Sequence, residues 1–368
     1  MTHETNDASD GAVFDDVLFD VRGRAGFVTL NRPKALNALN HAMVRAIITQ
    51  LDAWDDDPSV AHVVIEAAGD RAFCAGGDIR VIYEQGRGHG APGNPAQLEF
   101  FADEYRLNAR LKHYPKPTVA LIDGIVMGGG VGLSVHGTHR VGGARTTFAM
   151  PEVGIGFFPD VGATYVLPRM PRQTGIYCAL TGGRLKQADA LWAGILTHAV
   201  PSERFAAIAL ALEQATDIVA VLDGFHEQPP ADAKAEPLAD LAPDIERIFS
   251  GPDVAAILAG LDAESGAHAE WAARTAAAIR RQSPTSVCVV FAQMRRGAKL
   301  DFDDAMRLEF RIVSHILKGH DFYEGVRAVI IDKDGAPQWR PARLEDVAAV
   351  DVETHFVRPQ DGDLVLTA

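Results

Sequence analysis

The sequence predicts an α/β protein: a parallel sheet with helices packed on it up to about residue 200, continued by a mainly α-helical region. Three observations predict it. A strand, a helix and a second strand follow one another between residues 26 and 66; a similar cycle runs from residue 96 to 141; and from about Ser202 the texture turns to alanine-rich helical patterns. A strand–helix–strand unit this short joins parallel strands, because parallel neighbours need a crossover connection.

Each element has a local reason. Residues 26–30 (GFVTL) read as a strand, closed by Asn31-Arg32-Pro33. Leu39, Met43, Ile47, Leu51 and Trp54 recur at spacings of four, four, four and three, one face of a helix. Asp55-Asp56-Asp57-Pro58 stops it, and residues 60–66, centred on Val63-Val64-Ile65, form a buried strand. Residues 96–112 are helical up to Pro115 and Pro117, and 118–122 (TVALI) is the next strand. A turn at Gly128-Gly129-Gly130 leads into a helix over 131–135; short strands follow at 140–141 and 147–150, and a helix at 160–167. Further on, Phe205, Ile208, Ala209 and Leu212 share a helical face. Residues 225–243 hold four prolines and read as a surface linker, after which helical patterns resume around Ala255, Trp271 and Phe291. The expected organisation is a disordered leader over 1–12, an α/β core with the active site over 13–201, a helical region over 202–350 and a tail over 351–368.

Composition narrows the function. The chain has 368 residues, of which 47% are hydrophobic, and its formal charge is −14. That balance is globular, and it argues against a nucleic-acid partner, which wants a basic face; a small anionic ligand in a local basic pocket stays compatible. No apolar run approaches the ~20 residues of a membrane span, so no membrane partner is expected. The first twelve residues are polar and acidic, without the pattern of a secretory signal. Cys74, Cys178 and Cys288 lie far apart with no CxxC pair. A reducing, cytoplasmic location and no metal site are expected.

Four stretches could carry chemistry. Phe73-Cys-Ala-Gly-Gly-Asp78 follows a strand, and Gly124-Ile-Val-Met-Gly-Gly-Gly-Val-Gly132 joins a strand to a helix. Alone, the first fits a tight turn and the second the close packing of helix on sheet; neither matches a nucleotide-binding fingerprint. Together they offer backbone N–H groups beyond the ends of parallel strands, where ligands collect, and one N–H from each could clamp a carbonyl oxygen. In Met150-Pro-Glu-Val-Gly-Ile-Gly-Phe-Phe-Pro-Asp160, two carboxylates bracket an apolar connection whose Ile155, Phe157 and Phe158 would desolvate them. Asp160 is equally placed to cap the helix that follows, and Glu152 to face water from a turn. Glu104 has Phe100, Phe101, Leu107 and Asn108 as helical neighbours; it either reaches a substrate group or snorkels to solvent. Gly132-Leu-Ser-Val-His136 misses the GxSxG nucleophile elbow at its last glycine, and Ser134 reads as an interior helix residue.

The stretch Asn31-Arg-Pro-Lys-Ala-Leu-Asn-Ala-Leu39, the Phe73–Asp78 motif and Met127-Gly-Gly-Gly-Val-Gly-Leu together resemble the crotonase (enoyl-CoA hydratase/isomerase) superfamily. Met127 to His136, Phe148-Ala-Met-Pro-Glu152, Gly156-Phe-Phe-Pro-Asp-Val-Gly162 and Asp321-Phe-Tyr-Glu-Gly-Val-Arg327 with Ile331-Asp-Lys-Asp334 are similar to its thioester-hydrolysing members. The resemblance spans about residues 17 to 350. It implies a crotonase-like spiral of ββα units. It implies that the N–H groups of Gly77 and Gly129 form an oxyanion hole, that Glu152 and Asp160 do the chemistry, and that Glu104 helps bind the acyl part. CoA is expected along Lys34, Ala35 and Asp78, as part of the substrate; no separate cofactor is implied. The hydratases use two glutamates, and the first lies where this chain has Gly132, which cannot move a proton. That opposes two-glutamate hydration, and the resemblance implies hydrolysis of a short β-hydroxyacyl-CoA thioester, with 3-hydroxyisobutyryl-CoA of valine breakdown as substrate. Enoyl-CoA hydration or isomerisation, and non-catalytic acyl-CoA binding, are the alternatives. Relatives often assemble through C-terminal helices, so a homo-oligomer is a further expectation.

Overall fold

The computed structural model of the protein describes residues 13–88, 92–230 and 236–366. The expected leader, residues 1–12, lies outside them.

Ten strands among the described residues make two sheets. In chain order they are β1 (Val17–Arg22), β2 (Ala25–Leu30), β3 (His62–Ala67), β4 (Ala72–Cys74), β5 (Thr118–Ile122), β6 (Ile125–Met127), β7 (His139–Gly142), β8 (Thr147–Ala149), β9 (Leu185–Lys186) and β10 (His198–Ala199). The larger sheet runs β1-β2-β3-β5-β7-β10, antiparallel at β1/β2 and parallel elsewhere. The smaller runs β4-β6-β8-β9, with β4, β6 and β8 parallel. The chain thus repeats one move: a strand in the large sheet, a strand in the small sheet, then helix. This is the spiral of ββα units that the resemblance implies.

The parallel strands are apolar because both faces are covered. Alternation splits them between two cores. Phe27, Val64, Val119, Leu121 and Val141 pack with Ile208, Leu212 and Leu222 of the helices Phe205–Glu213 and Ile218–Phe225. Val28, Leu30, Val63, Ile65, Ala120 and Ile122 belong to the larger core with Met43, Val44, Ile47, Leu51 and Trp54 of the helix His41–Asp55.

Several boundaries differ from expectation. Leu39 does not join its helix: Asn40 caps that helix by accepting from the Met43 N–H at 2.9 Å, and Leu39 bridges to Gly77 instead. β1 went unread because it is an edge strand with Leu18 and Val21 exposed, so its apolar alternation is weak. The expected linker over 225–243 ends earlier, because the helix Leu238–Phe249 contains Pro243. Its apolar face, Leu238, Leu241, Ile245 and Phe249, is buried, and packing offsets the missing N–H. The final segment is docked: Phe356 and Leu364 are buried and Arg311 pairs with Asp363. No helix among the described residues is long and apolar enough to cross a membrane.

Candidate active site

β4 and β6 are adjacent parallel strands, so the loops that leave their C-terminal ends emerge side by side. The first loop is zipped to the 31–39 turn: the Leu39 N–H donates to Gly76 O, and the Asp78 N–H to Leu39 O, both at 2.8 Å. Gly77 is skipped. Gly76 has φ +109°, open only to glycine. In the second loop Gly129 opens the short helix Gly129–Ser134, where an N–H has no intrahelical acceptor. Among the described residues neither the Gly77 nor the Gly129 amide donates to the chain. A Cβ built on Gly129 would lie 3.4 Å from Gly77 N, and one on Gly76 would lie 3.8 Å from Gly129 N, so the free amides share one cradle.

That cradle opens into a cavity of about 670 Å³ that is also lined by Glu104, Glu152 and Asp160. The structure therefore brings seven predicted residues to one cleft: these five, with Ala35 and Asp78. Among the described residues Oε1 of Glu104 and Oε2 of Glu152 have no hydrogen-bond partner. Glu104, on the helix Pro95–Lys112, is 2% exposed and does not snorkel, and Glu152, in the tight turn Glu152–Ile155 after β8, is 8% exposed. A Cβ on Gly128 would sit 3.2 Å from Glu152 Oε1, which places this carboxyl against the second glycine loop. Asp160 is 4% exposed and accepts the Tyr105 O–H at 2.9 Å. It caps nothing, since the helix Ala163–Val166 starts from Gly162 without a side-chain cap.

Burial in an apolar wall of Phe100, Phe101, Ile155 and Phe157 is the main cause of the acids' behaviour. It pushes Asp160 up to about 7, against the Tyr105 hydrogen bond that favours ionisation. Burial, then the charge of Asp160, raises both Glu152 and Glu104 well above the usual carboxylate range. Phe158 was expected on this wall, but it turns into the core. Ala35 and Asp78 line the cavity, Asp78 paired with Arg32 at 3.2 Å. Lys34 is exposed on the neighbouring turn and not on the wall; the cation that lines it is Arg80. Among the described residues no cluster of His, Cys, Asp and Glu is arranged to hold a metal.

The sequence reading missed what supports this site. Gln282, Val329 and Ile330, from the helical region, complete the wall. Glu309 accepts from the Gly162 N–H at 2.8 Å and the Thr164 N–H at 2.9 Å. His136 Nε2 lies 2.6 Å from Val161 O; burial pushes this imidazole down to about 4, so it is neutral and its Nε2–H donates. Ser134 donates to Gly130 O inside its helix, as read. Gly132 faces Asn108 and Val161: a Cβ there would lie 2.5 Å from Asn108 Nδ2 and 2.8 Å from Val161 Cβ.

The buried acids make stability fall with pH. Asp160 and Glu309, raised to about 7 and about 8, keep protons in the folded chain that the unfolded chain releases near pH 4. Their contribution is complete below that range and is lost as pH rises through 7 and 8. His62, His136, His139, His198 and His355 are lowered and act oppositely, but only below their ordinary 6.5. The unfolding free energy is thus expected to fall between pH 6.5 and about 8, by up to about 1.4 kcal/mol per pH unit for each acid, and the thermal midpoint with it. Calorimetry on wild type and Asp160→Asn tests this; the variant should show the shallower slope, and equal slopes contradict it.

Residues 25–356 match the family model described as enoyl-CoA hydratase/isomerase. The chain is 44% identical over 357 residues to the Danio rerio protein named "3-hydroxyisobutyryl-CoA hydrolase, mitochondrial", covering 95% of this chain and 92% of that one. It is similar to a solved structure described as a carnitinyl-CoA dehydratase from Mycobacterium thermoresistibile, with TM-score 0.88 and 43% identity, over 95% of this chain and 98% of that one. A structure described as an enoyl-CoA hydratase from Rhodobacter sphaeroides 2.4.1 matches with TM-score 0.84 and 38% identity, over 95% of this chain and all of that one, 100%. With the ββα spiral, the paired glycine loops and a match along most of its length, the chain belongs to the enoyl-CoA hydratase/isomerase family.

Proposed function

We propose that this protein hydrolyses 3-hydroxyisobutyryl-CoA, or a closely similar short β-hydroxyacyl-CoA thioester, to the free acid and CoA. The observation that carries this reading is the pair of unspent amides beside two desolvated carboxyls. The thioester oxygen sits between the N–H groups of Gly77 and Gly129, which stabilise negative charge as it develops there. Past Asp160's step near 7, its charge adds to burial in holding Glu152 well above the usual carboxylate range, so the pair keeps one proton and that proton rests on Glu152.

The reactive form is the one in which that proton has passed from Glu152 to Asp160. Glu152 as carboxylate attacks the carbonyl carbon, the C–S bond breaks, and Asp160 gives its proton to the leaving thiolate. Water then cleaves the mixed anhydride and returns its proton to Asp160. Alternatively Glu152 takes a proton from water as the water attacks the carbonyl carbon, the C–S bond breaks and Asp160 again gives its proton to the leaving thiolate, a proton that Glu152 then restores to it. Glu104, protonated beside Gly129, hydrogen-bonds the acyl part. CoA runs out over Ala35 and Asp78 towards Lys34. The relative's printed name supports the acyl group proposed here. A cytoplasmic location belongs to this proposal too, resting on the scattered cysteines, although that relative's name carries the word mitochondrial.

A second reading is hydration or dehydration, the activity named for the two solved structures. The crowding at Gly132 opposes it, since no second acid can enter from there without displacing Asn108 and Val161. A panel of acyl-CoA esters assayed for liberated thiol separates the two. The expected result is fastest thiol release from 3-hydroxyisobutyryl-CoA and no change in enoyl absorbance with crotonyl-CoA. Enoyl turnover without thiol release would favour the second reading. Binding without any turnover would make the protein an acyl-CoA carrier.

A further inference from the structure

We propose that Glu309 is a positioning residue for Asp160, acting through the strained turn that follows it; this rests on the reading that Asp160 takes part in thioester hydrolysis. Val161 has φ +52° and Gly162 φ +88°. A β-branched residue in the left-handed region is unfavourable, and such a turn persists only where its surroundings hold it.

The hold comes from outside the loop. Glu309, fully buried on the helix Phe302–Ile316, spends one oxygen on the Gly162 N–H at 2.8 Å and the other on the Thr164 N–H at 2.9 Å. Gln293, on the helix Pro284–Gly297, donates to Pro159 O at 2.6 Å and Thr164 Oγ1 at 2.7 Å. The His136 N–H donates to Val161 O at 2.6 Å. The backbone is gripped on both sides of Asp160, whose own side chain meets only the Tyr105 hydroxyl among hydrogen-bond partners in the described residues.

A carboxyl group does this, because it offers one acceptor oxygen to each amide whether or not it carries a proton. An amide side chain has one acceptor oxygen and would leave one buried N–H unmet, at a cost comparable to a lost hydrogen bond. Burying an acid near Asp160's charge is itself unfavourable even with its Gly162 and Thr164 partners, as its rise to about 8 shows. The arrangement is accounted for by the need to meet both amides of a turn that would otherwise relax and swing Asp160 out of line.

The test compares wild type, Asp160→Asn, Glu309→Gln, Val161→Gly and the double variant V161G/E309Q, by thiol release from 3-hydroxyisobutyryl-CoA and by thermal unfolding. E309Q is expected to lower kcat on the order of 10²-fold, the cost of a misplaced reacting group, with KM within about twofold of wild type. Glycine at 161 accepts the left-handed turn unaided. E309Q should therefore cost about tenfold less in the V161G background, a coupling that general destabilisation does not produce. Should E309Q fail to fold, Glu309→Asp replaces it: its shorter carboxylate cannot span both amides, and the same loss of kcat is expected. If E309Q or E309D keeps kcat within about twofold of wild type while D160N is inactive, the inference is overturned and the hydrolytic reading stands. Equal losses from E309Q in both backgrounds also overturn it. Wild type that releases no thiol, or D160N at full activity, defeats the reading itself and the inference with it.

Discussion

Glu152→Gln is expected to lower kcat about 10³-fold or more while leaving the affinity for acyl-CoA nearly unchanged. Glutamine keeps the shape of a side chain that is 8% exposed, so the apolar wall and the turn Glu152–Ile155 stay in place. What it removes is the ionisable oxygen beside the second glycine loop, whether in the proposed reaction that oxygen attacks carbon or takes a proton from water. Steady-state thiol release and calorimetric titration with a CoA thioether measure the two halves separately. Full activity in E152Q would end the assignment. Single-turnover hydrolysis in ¹⁸O-water then separates the routes, because label found in the Glu152 peptide requires an anhydride opened at the glutamate carbonyl.

The second large effect is expected at Gly129. A Cβ there would collide with a Glu104 oxygen and lie 3.1 Å from Leu39 Cδ1, filling the space that the two free amides share. Gly129→Ala should cost about 10²–10³ in kcat/KM, comparable to loss of an oxyanion donor. The accompanying loss of stability should be about 1–3 kcal/mol, typical of overpacking. Gly224→Ala is the control, since an added Cβ there meets nothing within 4 Å. If G129A retains wild-type kcat/KM while folded, the thioester oxygen is bound elsewhere.

The helix over 41–55 was legible because three apolar spacings in a row, from Met43 to Trp54, suit only a 3.6-residue period, and β5 because four consecutive apolar residues follow Thr118 between prolines and a turn. β4 and β6 were not, because three residues are too few to show a period. Their absence moved the site's scaffold: the glycine loops were read as leaving β3 and β5, whereas they leave the smaller sheet. Asp160 shows the limit most plainly. Its place before a helix made capping an equal reading, and only its bond to Tyr105, 55 positions away, points it into the cleft. Glu309 stands 147 residues from Gly162 and 145 from Thr164, in an unremarkable amphipathic helix, and nothing local marks it.

By itself the sequence determined which atoms the site can use: glycines where an amide must be left bare, two acids around an apolar link, and no side chain at Gly132. Those are properties of residue type and near neighbours, and short-range sterics decide them. Only the tertiary structure decided that β4 and β6 lie side by side, so that two amides face one point, and that helices from the far end of the chain close over Asp160. Convergence of that kind is a matter of packing between segments distant in sequence, and local patterns carry no record of it.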